Sequence, residues 1–262
     1  VPVTLELGGK CPTIIAHDNL NAKTVNNIIS TKLVKSGQMC IAPDYVFVAK
    51  DQLQEFITLT QKSMEKMYPS FDQNADYTSI INQRHYERLS GYIDDAKQQG
   101  AEVIELNPSN EKANPSTRKF PLTLVINPSD QLAVMKNEIF GPILPIKTYE
   151  DLQEVFDYIN DRPRPLALYC YSHNKNIIEK VTNQTISGGV CINAAATHGL
   201  QADLPFGGIG ESGMGHHHGY DGFQTFSKLK PIFVQAKFDG SALLHPPYGK
   251  NIKRFLTFIL GK

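Results

Sequence analysis

Apolar residues recur along this chain in two alternating periods. Ala22, Val25, Ile28, Ile29 and Leu33 fall at helical spacing and predict an amphipathic helix ending near Gly37, after which Tyr45-Val46-Phe47-Val48 is an apolar run of strand length. Leu53, Phe56, Ile57 and Met64 mark a second helix, and Tyr86, Leu89, Tyr92 and Ile93 a third, stopped by Gly100. Val103-Ile104-Glu105-Leu106, Leu122 to Ile126 and Ile143 to Ile146 read as strands, and Leu152, Val155, Phe156 and Ile159 form another helical stripe. Leu166 to Tyr171, a helix around Ile177 to Val181, and Val190-Cys191-Ile192 complete the rhythm. Strand runs without polar alternation suit burial on both faces, so the pattern predicts an α/β fold, a mostly parallel twisted sheet with helices on both sides.

Beyond Gly215 the pattern changes. Gly219, Asp221 and Gly222 continue a glycine-rich stretch as loop, while Phe223, Phe226 and the run from Leu229 to Val234 suggest an arm or edge strand. His245-Pro246-Pro247-Tyr248 reads as a rigid break. Ile252, Phe255, Leu256, Ile259 and Leu260 then form a helical stripe beside Lys250, Lys253 and Arg254.

With 262 residues and 41% hydrophobic content, the chain is of one- or two-domain size and can bury a substantial core. Its 26 basic and 26 acidic residues cancel, so no net field favours nucleic acid or an anionic membrane surface. No apolar run approaches the roughly 18 residues of a membrane span, and no signal-peptide pattern precedes the first motif. Cys11, Cys40, Cys170 and Cys191 show neither C-x-x-C pairing nor a disulfide framework, which fits a reducing, cytoplasmic setting.

Gly37-Gln38-Met39-Cys40 lies between a helix and a strand, where a loop-borne cysteine with an acid brought near it supplies a nucleophile and a base. The plainer reading of Cys40 is a buried inert thiol. Three further stretches argue against it: Thr4-Leu5-Glu6-Leu7-Gly8-Gly9-Lys10, Glu138-Ile139-Phe140-Gly141-Pro142, and Leu204-Pro205-Phe206-Gly207-Gly208-Ile209-Gly210-Glu211-Ser212-Gly213-Met214-Gly215. With these four blocks in order, the chain resembles the NAD(P)-dependent aldehyde dehydrogenases. The likeness runs from the first residues to about Ser227. It extends less specifically through Pro246-Pro247-Tyr248, where it is most similar to the class 3 and coniferyl aldehyde dehydrogenase branch.

The resemblance implies a covalent mechanism in which Cys40 attacks an aldehyde and Glu6 is the base that hydrolyses the resulting thioester. Gly8-Gly9 lets backbone approach a ligand beside Glu6, and a dry site would raise the Glu6 pKa towards working pH. It also implies that Glu138, Phe140, Leu7 and Gly8 contact the cofactor, NAD or alternatively NADP. Phe206 would border the substrate tunnel, and Gln38 would orient the loop of the nucleophile. Asn193 and His198 resemble polar positions of the class 3 branch, and His198 is given no catalytic role. Cys40 sits beyond the C-terminal end of its helix, where the macrodipole disfavours an anion, so the dipole cannot activate the thiol. Cys11, Cys170 and Cys191 read as packed thiols, Cys11 being close enough to the site for an off-pathway disulfide with Cys40. Adjacent His216, His217 and His218 do not converge as metal ligands do, so no metal is expected.

The family's N-terminal cofactor-binding domain is expected to be absent from this chain, which opens Val1-Pro2-Val3 without an initiator methionine, as a fragment would. The Gly207 to Gly215 run lacks the strand-turn-helix setting of a dinucleotide fingerprint. Residues 1–203 are expected to form the catalytic domain, and 204–262 an active-site loop and a C-terminal arm joining a homodimer. An aromatic, coniferyl-type aldehyde is the expected substrate. The alternatives are a fatty or medium-chain aldehyde dehydrogenase, an inactive homologue, or a non-catalytic dimerisation fragment.

Overall fold

The computed structural model describes residues 2–112, 114–238, 240–241 and 245–261. Two compact units emerge, Val1–Phe226 and Ser227–Lys262. Residues 204–226, grouped with the arm in the sequence reading, belong to the larger unit.

The larger unit opens with a two-residue strand β1 (Leu5–Glu6), followed by β2 (Pro12–Ile15), α1 (Ala22–Leu33), β3 (Tyr45–Ala49), α2 (Leu53–Met67) and α3 (Gln83–Gln98). Then come β4 (Glu102–Leu106), β5 (Leu122–Ile126), a single turn α4 (Ala133–Lys136), β6 (Ile143–Tyr149), α5 (Leu152–Asn160), β7 (Ala167–Tyr171), α6 (Lys175–Gln184) and β8 (Gly189–Ile192). Strand β9 (Gly213–Met214) and α7 (Gly219–Thr225) complete it.

Seven strands form one sheet in the order β4-β5-β6-β3-β2-β7-β8, all parallel except the antiparallel edge strand β4. Side chains alternate between two cores because successive residues of a strand face opposite ways. Val46 and Val48 of β3, Leu144 and Ile146 of β6 and Tyr169 of β7 join Val25, Ile28, Phe56 and Met64 of α1 and α2 on one face. On the other face, Phe47, Ile143, Leu168 and Cys170 join Leu89, Ile93, Val155, Phe156 and Val181 of α3, α5 and α6. Asparagines cap three of these helices, Asn21 accepting from the Thr24 N–H, Asn82 from the His85 N–H and Asn174 from the Asn176 N–H. On the free edge, β4 carries exposed Glu102 and Glu105, charges that discourage edge-to-edge pairing.

Two readings are corrected, at β2 and at α7. Strand β2, absent from the periodicity reading, lies at the centre of the sheet between β3 and β7. Its four residues are too few to declare a period, and its place is set by neighbours distant in sequence. Gly219, Asp221 and Gly222 lie in helix α7, not loop. The turn is held by the Gly222 N–H donating to the His218 carbonyl at 2.8 Å and the Thr225 hydroxyl to the His216 carbonyl at 3.0 Å, contacts that outweigh the poor helix propensity of glycine. Residues 229–234 carry no strand, and Leu229, Ile232, Phe233 and Val234 are exposed. An edge strand needs a second backbone to bond with, and none of the described strands pairs with this segment.

In the smaller unit, α8 (Lys250–Leu260) forms on the expected stripe. No helix among the described residues is long and apolar enough to cross a membrane.

Phe56 is completely buried between α2 and the sheet. Phe56→Ala should lower the unfolding free energy by about 3–5 kcal/mol, read as a reduced urea midpoint at unchanged slope. A loss below about 1 kcal/mol would contradict the packing described here.

Candidate active site

The turns that enter β2, β3 and β6 lie side by side at the amino-terminal edge of the sheet, because the three strands are parallel neighbours. Glu6 to Cys11 precede β2, Gly37 to Asp44 precede β3, and Asn137 to Pro142 precede β6. Three of the four sequence blocks therefore converge by topology alone. The fourth arrives through the pairing of β1 with β9, in which Glu6 lies opposite Gly213.

After α1 the chain reverses through three left-handed residues, Lys35 (φ 52°), Ser36 (φ 54°) and Gly37 (φ 74°). A side chain at Gly37 would strike the backbone of Gly141, so the nucleophile turn and the Glu138 turn touch directly. Gln38 ties its turn to the segment ahead of α3. Its amide nitrogen donates to the carbonyls of Lys35 (2.8 Å) and Ser79 (3.1 Å), and its amide oxygen accepts from the Ile81 N–H (2.9 Å). The Ser36 hydroxyl adds a bond to the Thr78 carbonyl.

Cys40 is half-buried, and burial pushes its thiol up to about 11. Glu6 is the next cause, because its nearby carboxylate favours the neutral thiol over a thiolate; Glu138 adds to the repulsion. Cys40 and Glu6 are thus brought together. The dry setting expected for Glu6 is not found, since its side chain is exposed at the rim of a two-residue pairing. Burial first and the nearby Asp44 second raise the Glu138 carboxyl to about 7.

The Gly9 N–H lies near the Glu138 carboxylate and favours its charged form, opposing the rise that burial causes. A side chain at Gly8 would collide with that carboxylate, so the bare backbone of Gly8 is the floor on which Glu138 rests. Phe140 is not a core residue: it is 40% exposed and holds φ 49°, a strained conformation for a bulky side chain. Its carbonyl accepts from Arg88 at 3.4 Å. Leu7 is exposed and anchored through its N–H to the Ser212 carbonyl at 3.0 Å. A cavity of about 490 Å³ opens beside Glu138 and is lined in part by Gly8, Gly9, Lys10, Tyr45 and Tyr158.

Phe206 is buried in the core that Cys40 and Ile41 pack against. The adjacent histidines do three separate things. His216 pairs with Asp221 at 3.2 Å, His217 exchanges two 2.8 Å backbone bonds with Phe206, and His218 stacks on the Phe206 ring at 5.1 Å. His198 is buried, with Nδ1 3.0 Å from the Cys191 sulfur, and burial lowers its pKa, so it is neutral at pH 7. Asn193 is a structural tie: its side chain bonds Asn19 and both backbone groups of Ser172. The four cysteines are free; Cys11 is fully buried, its thiol donating to the Cys40 carbonyl at 3.4 Å.

Sequence reasoning missed three charged residues beneath the site, Lys10, Lys32 and Asp44. Lys32 is 1% exposed, and burial lowers its amine to about 8. One signal could have found it: position 32 continues the 25, 28, 29 spacing of the buried face of α1, where a lysine has no place as a solvated residue.

Residues 1–232 match the family described as the aldehyde dehydrogenase family. The coniferyl aldehyde dehydrogenase of Pseudomonas sp. strain HR199 is 44% identical over 263 residues, covering 100% of this chain and 55% of that protein. The substrate-bound Staphylococcus aureus AldH structure is similar with a TM-score of 0.88 and 35% identity, covering 99% of this chain and 55% of that one. The NADP-dependent glyceraldehyde-3-phosphate dehydrogenase of Bacillus halodurans C-125, complexed with NADP, gives a TM-score of 0.77 at 26% identity, over 87% of this chain and 47% of that one. The chain spans about half the length of the curated relatives it matches.

A thiol held at about 11 is almost wholly protonated at neutral pH, so alkylation of Cys40 by iodoacetamide should keep accelerating up to that pH. Glu6→Gln removes one source of repulsion and should shift the inflection downward. An inflection near about 8.5, the value of an ordinary thiol, in the unmodified chain would refute this.

Proposed function

The chain belongs to the aldehyde dehydrogenase family, and from that membership we propose that it is the catalytic half of an NAD(P)-dependent enzyme that oxidises an aldehyde to its carboxylic acid. The observation that carries this reading is the convergence of the Glu6, Cys40 and Glu138 turns at one edge of the sheet, with the Glu6 carboxylate near enough to Cys40 to raise its thiol.

Once its proton is released to solvent, the Cys40 sulfur forms a bond to the carbonyl carbon, and the C=O electron pair moves to oxygen. That oxyanion takes a hydrogen bond from the Cys40 N–H, and the family resemblance implies a second donor, an asparagine in the cofactor-binding half. NAD(P) supplies the hydride acceptor when bound. With the hydride gone, the carbon remains on Cys40 as a thioester. Glu6 then takes a proton from water, the oxygen adds to the carbon, the C–S bond breaks, and Cys40 is restored as the carboxylic acid leaves.

The residues present fit a dinucleotide. Glu138 can accept from both hydroxyls of a ribose, Phe140 offers an exposed ring, and Leu7 and Gly8 provide an accessible strand end beside them. NAD is the proposed cofactor and NADP the alternative. An aromatic, coniferyl-type aldehyde is supported by the named activity of the Pseudomonas relative, and the Phe206–His218 stack offers such a substrate an aromatic wall. Pairing of 229–234 with a second copy would make the homodimer, a reading supported by the exposure of Leu229, Ile232, Phe233 and Val234. A cytoplasmic setting is supported by four free cysteines.

In the complete protein, NADH should form faster from coniferyl aldehyde than from a saturated aliphatic aldehyde, and Cys40→Ala should abolish it. The reverse ratio overturns the substrate, and turnover by Cys40→Ala overturns the mechanism. The 262-residue chain alone should yield no NADH, so turnover by it would refute the division of the site between two halves. Ionisation of Glu138 at about 7 should make NAD bind more tightly as pH rises through neutrality. Titration calorimetry of Glu138→Gln should show that dependence flattened, and an unchanged slope would assign it to another group.

A further inference from the structure

Beneath the site lies a buried charge cluster that the chemistry above does not use. The Lys10 amine contacts the Asp44 carboxylate and donates to the carbonyls of Val134 and Asn137, each at 2.9 Å. Asp44, 3% exposed, accepts from the Ile139 N–H at 2.9 Å with its other oxygen, and its own N–H donates to the Cys11 carbonyl at 2.9 Å. Three turns therefore meet at one carboxylate: the Gly8-Gly9 turn through Lys10, the nucleophile turn through Asp44 itself, and the Glu138 turn through Ile139. Lys32 lies within electrostatic reach of both Asp44 and Glu138, giving two amines against two carboxylates.

Such a pair is weak evidence for stability, since a buried ion pair adds little over apolar packing of the same shape. What it adds is direction. Every bond at Asp44 fixes an orientation, and the residue next to Ile139 is Glu138.

We propose that Lys10 and Asp44 are positioning residues that set the Glu138 carboxylate against Gly8 and Cys40 and so form the ribose subsite before the dinucleotide arrives. The proposal rests on the reading of Glu138 as a cofactor contact. Asp44 holds the backbone on one side of Glu138 through Ile139, and Lys10 holds it on the other through the Asn137 carbonyl. Releasing either lets the carboxylate leave the Gly8 floor without removing any group that touches the dinucleotide.

The test is NAD binding by titration calorimetry in the complete protein, for Glu138→Gln, Asp44→Asn, Lys10→Met, Lys10→Arg and the Asp44→Asn/Glu138→Gln double variant. Thermal midpoints are read alongside. Asp44→Asn and Lys10→Met should each weaken NAD about tenfold, the scale of one charge-assisted hydrogen bond, and Lys10→Arg should recover most of the loss. In turnover, KM for NAD should rise more than kcat falls. Because the clamp acts through Glu138, the double variant should bind no more weakly than Glu138→Gln alone. Losses that multiply in the double variant, or wild-type binding by Lys10→Met, overturn the clamp. So does a loss that Lys10→Arg shares in full. Wild-type binding by Glu138→Gln overturns instead the cofactor reading. If Asp44→Asn does not fold, Lys10→Met combined with Glu138→Gln carries the same comparison.

Discussion

The site depends on one topological constraint, the parallel alignment of β2, β3 and β6. Parallel neighbours present their amino-terminal ends together, so three turns far apart in sequence become adjacent without any interaction between them having to bring them there. In open α/β sheets a ligand crevice more often lies outside the carboxyl ends of the strands. Here the candidate groups occupy the opposite edge, which is also where the preceding helices end. Cys40 follows α1 and Glu138 follows α4, each past the partially negative end of its helix.

That placement decides the electrostatics. Helix carboxyl ends together with Glu6, Asp44 and Glu138 make the edge a poor place for a free thiolate, in keeping with a Cys40 thiol raised to about 11. The same arrangement suits a cation. An oxidised nicotinamide ring carries positive charge, and its arrival would relieve the repulsion that keeps the thiol protonated, tying nucleophile activation to cofactor occupancy. The raised Glu138 carboxyl and the lowered Lys32 amine express the same crowding, since each is held in low dielectric where its charge depends on its neighbours.

Much of the sheet was legible because buried parallel strands are written as uninterrupted apolar runs, as in Tyr45-Val46-Phe47-Val48 and Leu166 to Tyr171. β2 was not, since Pro12-Thr13-Ile14-Ile15 is short and owes its central place to β3 and β7. α7 was hidden by its glycines. At the site, Cys40, Glu6 and Glu138 were legible through motifs, and the geometry joins them. Lys10 and Asp44 were not, because a charged residue in isolation reads as solvated surface, and only tertiary structure reveals that the two bury each other. The strain at Phe140 was equally invisible, because nothing in its neighbours announces a left-handed backbone.

The two close approaches at Gly8 and Gly37 have a consequence of their own. At each, the space a methyl group would fill is already taken, by a carboxylate in one case and by a facing backbone in the other. Part of the candidate site is therefore specified by excluded volume, and an alanine at Gly37 would have to displace the facing backbone of Gly141 without altering any titratable group. Such positions are silent to any inventory of nucleophiles, acids and bases.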